Sequence, residues 1–170
     1  SSSSATYRYD ADGLVDSVMI DSQTFDLVPN ASTGLLNATS LGSVSTTSGY
    51  NAYAELDSAR AVFSGASLYA AQYGRDDLGR ITRWTETVQG VTTDREFSYD
   101  QLGRLWQVRN TATQAQIERY AYGANSNRDT AWVLGGAVRY AGYDAQDRQT
   151  SDESVTFTYT GAGERRRRID

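Results

Sequence analysis

The sequence has no cysteine, no histidine and no lysine, and its single proline is Pro29. Without cysteine, disulfides and thiolate metal sites are excluded, and the redox compartment is left open. Without histidine, the commonest general base and the commonest zinc ligand are missing. A serine nucleophile would need lysine or a carboxylate to activate it, and there is no lysine; nothing points to hydrolysis. No run approaches the length of about 18 apolar residues that marks a spanning helix. The chain opens on Ser1 to Ser4, with neither Met nor a charged-then-apolar leader, which reads as an interior or processed fragment. We expect no cofactor, no metal and no enzymatic activity.

What is present is tyrosine, arginine and glycine. The 170 residues are enough for one domain, hydrophobic residues make up only 39%, and Tyr alone contributes 12 residues. That mix suits sheets whose ring-bearing side chains cover wide, half-exposed faces better than a compact aliphatic core. Every one of the 16 basic residues is Arg. Its planar head stacks on rings and forks onto carboxylates, favouring ordered pairing. The net charge of −5 gives no long-range attraction for phosphate backbones, so nucleic acid is not an expected partner.

The chain repeats itself. Tyr7-Arg-Tyr9-Asp10-Ala-Asp-Gly13-Leu, Tyr73-Gly-Arg-Asp76-Asp-Leu-Gly79-Arg80-Ile and Phe97-Ser-Tyr99-Asp100-Gln-Leu-Gly103-Arg104-Leu share one frame. Weaker copies follow it: Asn30 to Leu36, Tyr50-Asn51 to Leu56, Tyr120-Ala-Tyr122 to Arg128, Tyr143-Asp144 to Arg148, and Phe157-Thr-Tyr159 to Gly163 and Glu164. The glycine slot falls at 13, 34, 54, 79, 103, 126, 147 and 163. A recurrence of roughly 20–25 residues is a supersecondary unit too small to bury its own core, so it must lie against neighbours.

Asp followed three residues later by Gly marks a type I turn closing a hairpin with a glycine bulge. The aromatics two apart before it place two rings on one face of a strand. After it come Val15, Leu36, Leu56, Ile81 and Leu105, giving way to Arg128, Gln149 and Arg165 in the last three copies. Gln89-Gly90 and Gly135-Gly136 supply return turns. The expected fold class is all-β: repeated antiparallel hairpins, 14–16 short strands in about eight repeats over residues 1–170, forming a sheet that coils as it lengthens.

These motifs resemble the RHS/YD-repeat family, which includes bacterial Rhs proteins, shell subunits of insecticidal toxin complexes, and teneurins. The resemblance implies a hollow β-shell acting outside the producing cell, secreted or on a bacterial surface, and commonly enclosing a toxic polypeptide. This chain would be a stretch of shell wall. It is too short to close a chamber, and it shows neither the aspartyl cleavage region nor the C-terminal effector of toxin members. Open sheet edges make self-association into a filament a further expectation.

Other chemistry has a plainer reading. Asp10-Ala11-Asp12-Gly13 looks like the start of a calcium loop, but the distal Glu is missing and the turn accounts for both ends. Asp76-Asp77 is a turn cap beside a solvated neighbour rather than an acid–base pair. Trp84, Trp106 and Trp132 could stack on glycans; ring ladders with sandwiched Arg explain the periodic spacing better. The Arg165–Arg168 run could meet acidic polymers, yet alternate side chains of a strand face opposite ways, which favours an edge strand.

Overall fold

The computed structural model describes residues 4–169. Among them sixteen strands form one antiparallel sheet in chain order, and no helix occurs. They are β1 (Ala5–Tyr9), β2 (Val15–Ile20), β3 (Gln23–Pro29), β4 (Leu36–Leu41), β5 (Val44–Tyr50), β6 (Leu56–Phe63), β7 (Ala66–Arg75) and β8 (Ile81–Val88). After β9 (Val91–Tyr99) follow β10 (Leu105–Asn110), β11 (Gln116–Tyr122), β12 (Arg128–Val133), β13 (Arg139–Tyr143), β14 (Gln149–Asp152), β15 (Val155–Tyr159) and β16 (Arg165–Ile169). The chain divides into two compact units, one up to Asp94 and one from Arg95, each described by itself.

Alternating side chains give the first unit two unlike faces. On one, Tyr7, Val18, Phe25, Leu41, Val44, Phe63 and Ala66 lie in direct register across seven strands. One residue over, on the other face, the row reads Arg8, Ser17, Asp26, Ser40, Ser45, Val62 and Ser67. Phe25, Leu41, Val44 and Phe63 each keep more than a third of their surface exposed. The second unit repeats the contrast: Phe97, Val108, Glu118 and Val133 are in register, beside Ser98, Gln107, Arg119 and Trp132.

Within each unit, among the described residues, strands contact only their neighbours in the sheet. The buried hydrophobic residues there are Ala71 and Val108, at 2% and 1% exposure. A sheet in that condition gains its cohesion from ladder hydrogen bonds and cross-strand pairs rather than from a core. Thr39 and Thr46 share a hydroxyl hydrogen bond of 2.7 Å, and Arg139 pairs with Asp152 at 2.6 Å. The repeats therefore support one another edge to edge within one layer.

Candidate functional site

Within each unit the links alternate between the two edges of the sheet. The repeat turns, 10–14, 30–35, 51–55, 76–80, 100–104, 123–127, 144–148 and 160–164, all lie at one edge of their unit. Short links such as Ser64-Gly65 and Gln89-Gly90 lie at the other. We label the residue before a turn "entry" and the last turn residue "exit".

The turn Asp100–Arg104 shows how the sequence builds one. The Asp100 N–H donates to the Arg104 carbonyl and the Gly103 N–H to the Asp100 carbonyl, both at 2.9 Å. Asp100 Oδ1 accepts the N–H groups of Leu102 and Arg104, also at 2.9 Å. Asp10, Asn51, Asp76 and Asp144 accept the matching pair in their own turns. Thr160 Oγ1 takes only the Glu164 N–H, and Gly123 has no side chain to offer. One residue into each outgoing strand a bulge follows; Trp106 is the extra residue between the pairs Tyr99–Leu105 and Ser98–Gln107.

The position just before the exit residue requires a left-handed backbone. All eight glycine slots have it, from φ 60° at Asp147 to 87° at Gly163, including Ala54 at 63° and Ser126 at 64°. A Cβ there is strained and glycine is not. Ala54→Gly is therefore expected to stabilise the chain by about 1 kcal/mol, visible as a higher urea midpoint at unchanged slope. A ninth turn of related geometry, Asn110 to Ala115 with Gln114 at φ 56°, lies at the opposite edge and was not expected.

Arginine at the exit locks the turn to its own aspartate. Arg80, Arg104 and Arg148 each place Nε 2.7 Å from Oδ2 of Asp76, Asp100 and Asp144. The three carboxyls are held below their ordinary range. For Asp76 the main cause is the Arg80 side chain, and for Asp100 it is the Arg104 backbone N–H. At Asp144 partial desolvation is the largest influence and pushes upward, but the combined hydrogen bonds from Arg148 and Gln146 outweigh it.

The same exit residues reach the neighbouring repeat. Arg104 lies 4.5 Å from the ring centroid of Tyr122, the entry residue of the next turn, and Tyr122 donates its hydroxyl to the Leu105 carbonyl at 2.6 Å. Arg148 covers Tyr159 at 4.8 Å, while Tyr159 donates to the Gln149 carbonyl at 2.7 Å. Entry residues Tyr50 and Tyr143 donate likewise to Leu36 and Arg128, both at 3.0 Å. Turn also touches turn directly: Arg104 donates to Ser126 Oγ, and Asn125 and Asn127 both donate to Asp147.

One junction inverts the polarity. The turn 51–55 exits on Glu55, and the next entry residue is Arg75, where six of the other seven turns have Tyr and one has Pro29. Arg75 Nη2 still reaches the carbonyl after the previous turn, Leu56, at 3.1 Å, and its Nε lies 3.7 Å from Glu55. Asn51 replaces the capping aspartate and donates to Glu55 at 2.7 Å. The hydrogen bond between cap and exit runs in the opposite direction here, while the bond from the entry residue to the carbonyl is kept by a guanidinium in place of a phenol.

Rings and guanidinium groups pair throughout the second unit. Arg128 covers Tyr120, Arg165 covers Phe157, and Arg119 covers Trp106. Tyr7 and Tyr9 on β1 are more than half exposed, and Tyr73 lies opposite Trp84. Tyr120 donates its hydroxyl to Glu118, and burial together with that carboxylate pushes its ionisation up to about 12. The neutral phenol thus contributes stability that is complete below the unfolded value of about 10 and is lost as pH rises through the folded one. Ultraviolet titration of the tyrosines is expected to show a late-ionising component that Glu118→Gln moves toward the bulk.

Repeats that clasp their neighbours at a row of turns within each unit define a repeat protein. The chain is a member of the teneurin YD-shell family, which it matches over residues 1–166. Among solved structures, it resembles the crystal structure of TcdB2-TccC3-TEV, at 14% identity and a TM-score of 0.72, over 98% of this chain and 10% of that one. It also resembles TcdB2-TccC3 without its hypervariable C-terminal region, at 14% identity and a TM-score of 0.56, over 97% and 12%. At that identity the likeness is one of fold, and this chain spans about a tenth of theirs. No curated protein matches it.

Proposed function

We propose that this chain is a stretch of wall in a larger extracellular YD shell, with a structural rather than a catalytic role. The observation that carries it is the sheet itself: sixteen strands with two buried hydrophobic residues and ring-bearing faces left open among the described residues. Such a sheet lacks the core of a self-sufficient domain, and the matched chains are about ten times longer. On this reading the eight turns form one continuous array. Tyr7, Tyr9, Asp10, Gly13, Tyr50, Asn51, Tyr73, Asp76, Gly79, Arg80, Phe97, Tyr99, Asp100, Gly103, Arg104, Tyr120, Tyr122, Tyr143, Asp144, Phe157, Tyr159 and Gly163 are its building positions. The space such a wall encloses suits another polypeptide as cargo.

Electron microscopy of the native, undissociated material tests this. Closed hollow particles of much larger mass are expected. Regular filaments repeating at one 170-residue subunit would overturn the shell and make the chain a fibre unit.

A further inference from the structure

Resting on the wall reading, we propose that the outer edge of β16 is a docking surface for one kind of partner. That partner is a further repeat strand with a carboxylate six residues before its turn and an arginine immediately before it. Among the described residues β16 pairs with β15 alone, so its other backbone edge can accept a strand.

Two side chains on this edge select the occupant. Glu164 is the exit residue of the last repeat turn, and it is exposed. The other exit glutamate, Glu55, faces an entry arginine, Arg75, whereas exit arginines 104 and 148 face entry tyrosines. Glu164 therefore calls for an incoming arginine. Arg167, also exposed, occupies the third residue past its turn, the position of Arg83 after the turn 76–80. Arg83 forks onto Asp94 of the following strand, with Nε–Oδ1 at 3.0 Å and Nη2–Oδ2 at 2.5 Å. Asp94 stands six residues before its own turn at Asp100, which sets the place of the incoming carboxylate.

A second copy of this chain is a poor occupant. Its β1 would bring Ser4 and Tyr9 to those two places, and Arg8 toward an edge that already carries Arg165 to Arg168. Like charges across a strand pair are destabilising, and opposite charges select the partner.

The test is fluorescence anisotropy of labelled peptides against the full chain. The first probe is the sequence Val91–Arg104 with Tyr99→Arg, which offers Asp94 and an entry arginine. The second retains Tyr99 and carries Asp94→Arg; the third is residues 4–14. The first is expected to bind about tenfold more tightly than the others, losing the advantage in high salt. Arg167→Glu in the chain is expected to reverse the preference at the carboxylate position. Glu164→Arg is expected to weaken binding of the first probe, and to leave an otherwise identical peptide with Tyr99 retained unaffected. Equal binding of all three peptides, or preferences indifferent to both chain variants, would overturn the pairing code and leave a wall edge that adds strands through its backbone. Tightest binding of residues 4–14 would overturn it in favour of self-assembly. No binding at all, with the β15–β16 amides protected from exchange, would overturn both the code and the wall reading.

Discussion

Asp100→Ala is expected to lower the urea midpoint further than any other single substitution at a repeat turn. The carboxylate accepts two backbone N–H groups and the Arg104 guanidinium. Removing it leaves the turn uncapped and frees Arg104, the residue that stacks on Tyr122 and donates to Ser126. The loss therefore spreads from one turn to the next. Asp77→Ala, at an exposed turn position beside the cap, is expected to change stability by less than about 0.5 kcal/mol. Urea titrations of the two variants separate capping from net charge. The same interactions set the acid limit. Asp76, Asp100 and Asp144 have folded values below the unfolded value of about 3.9. Their contribution is present above that value and disappears as pH falls through the folded ones. The urea midpoint is expected to fall steeply below about pH 4, and less steeply when Asp100 has been replaced.

The turns were legible because they are local. Most carry a cap, a left-handed residue just before the exit and an aromatic ahead of the turn within nine residues or fewer, and backbone sterics write those requirements into the sequence. Even degenerate slots follow: Ala54, Ser126 and Asp147 have positive φ because the spacing and flanking residues demand it. The turn at Asn110–Ala115 escaped because Gln114 falls midway between two repeats, at the other edge, and breaks the spacing that identified the rest. The clasp between turns escaped for a different reason. Tyr122 with Leu105, or Arg75 with Glu55, join residues 17 to 20 apart whose adjacency depends on register, and register is set by bulges the motif does not display. One signal was available: Asn51 with Glu55, where other copies have Asp with Arg, is a paired exchange rather than two independent lapses.

That exchange yields the second large effect. Glu55→Arg alone is expected to cost about 2 kcal/mol, because it sets two guanidinium groups together at the Arg75 junction and presents a donor to the donating Asn51 amide. Asn51→Asp with Glu55→Arg restores the cap within the turn but leaves Arg75 facing Arg. Adding Arg75→Tyr rebuilds the junction seen at Asp100, Arg104 and Tyr122, with the phenol hydroxyl taking over the bond to the Leu56 carbonyl. The triple variant is expected to recover stability to within about 1 kcal/mol of the parent, a coupling of 1–2 kcal/mol or so between exit and entry positions. Gly79 makes the rescue easier. Its missing Cβ would stand 2.5 Å from Glu55 Oε1, so the exit side chain already lies against open backbone that a guanidinium can cover. Additive losses across the three substitutions would mean that each junction is held by its backbone ladder alone. Recovery would mean that neighbouring repeats recognise one another through two interchangeable charge patterns, so that the order of repeats along a wall is specified at its turns.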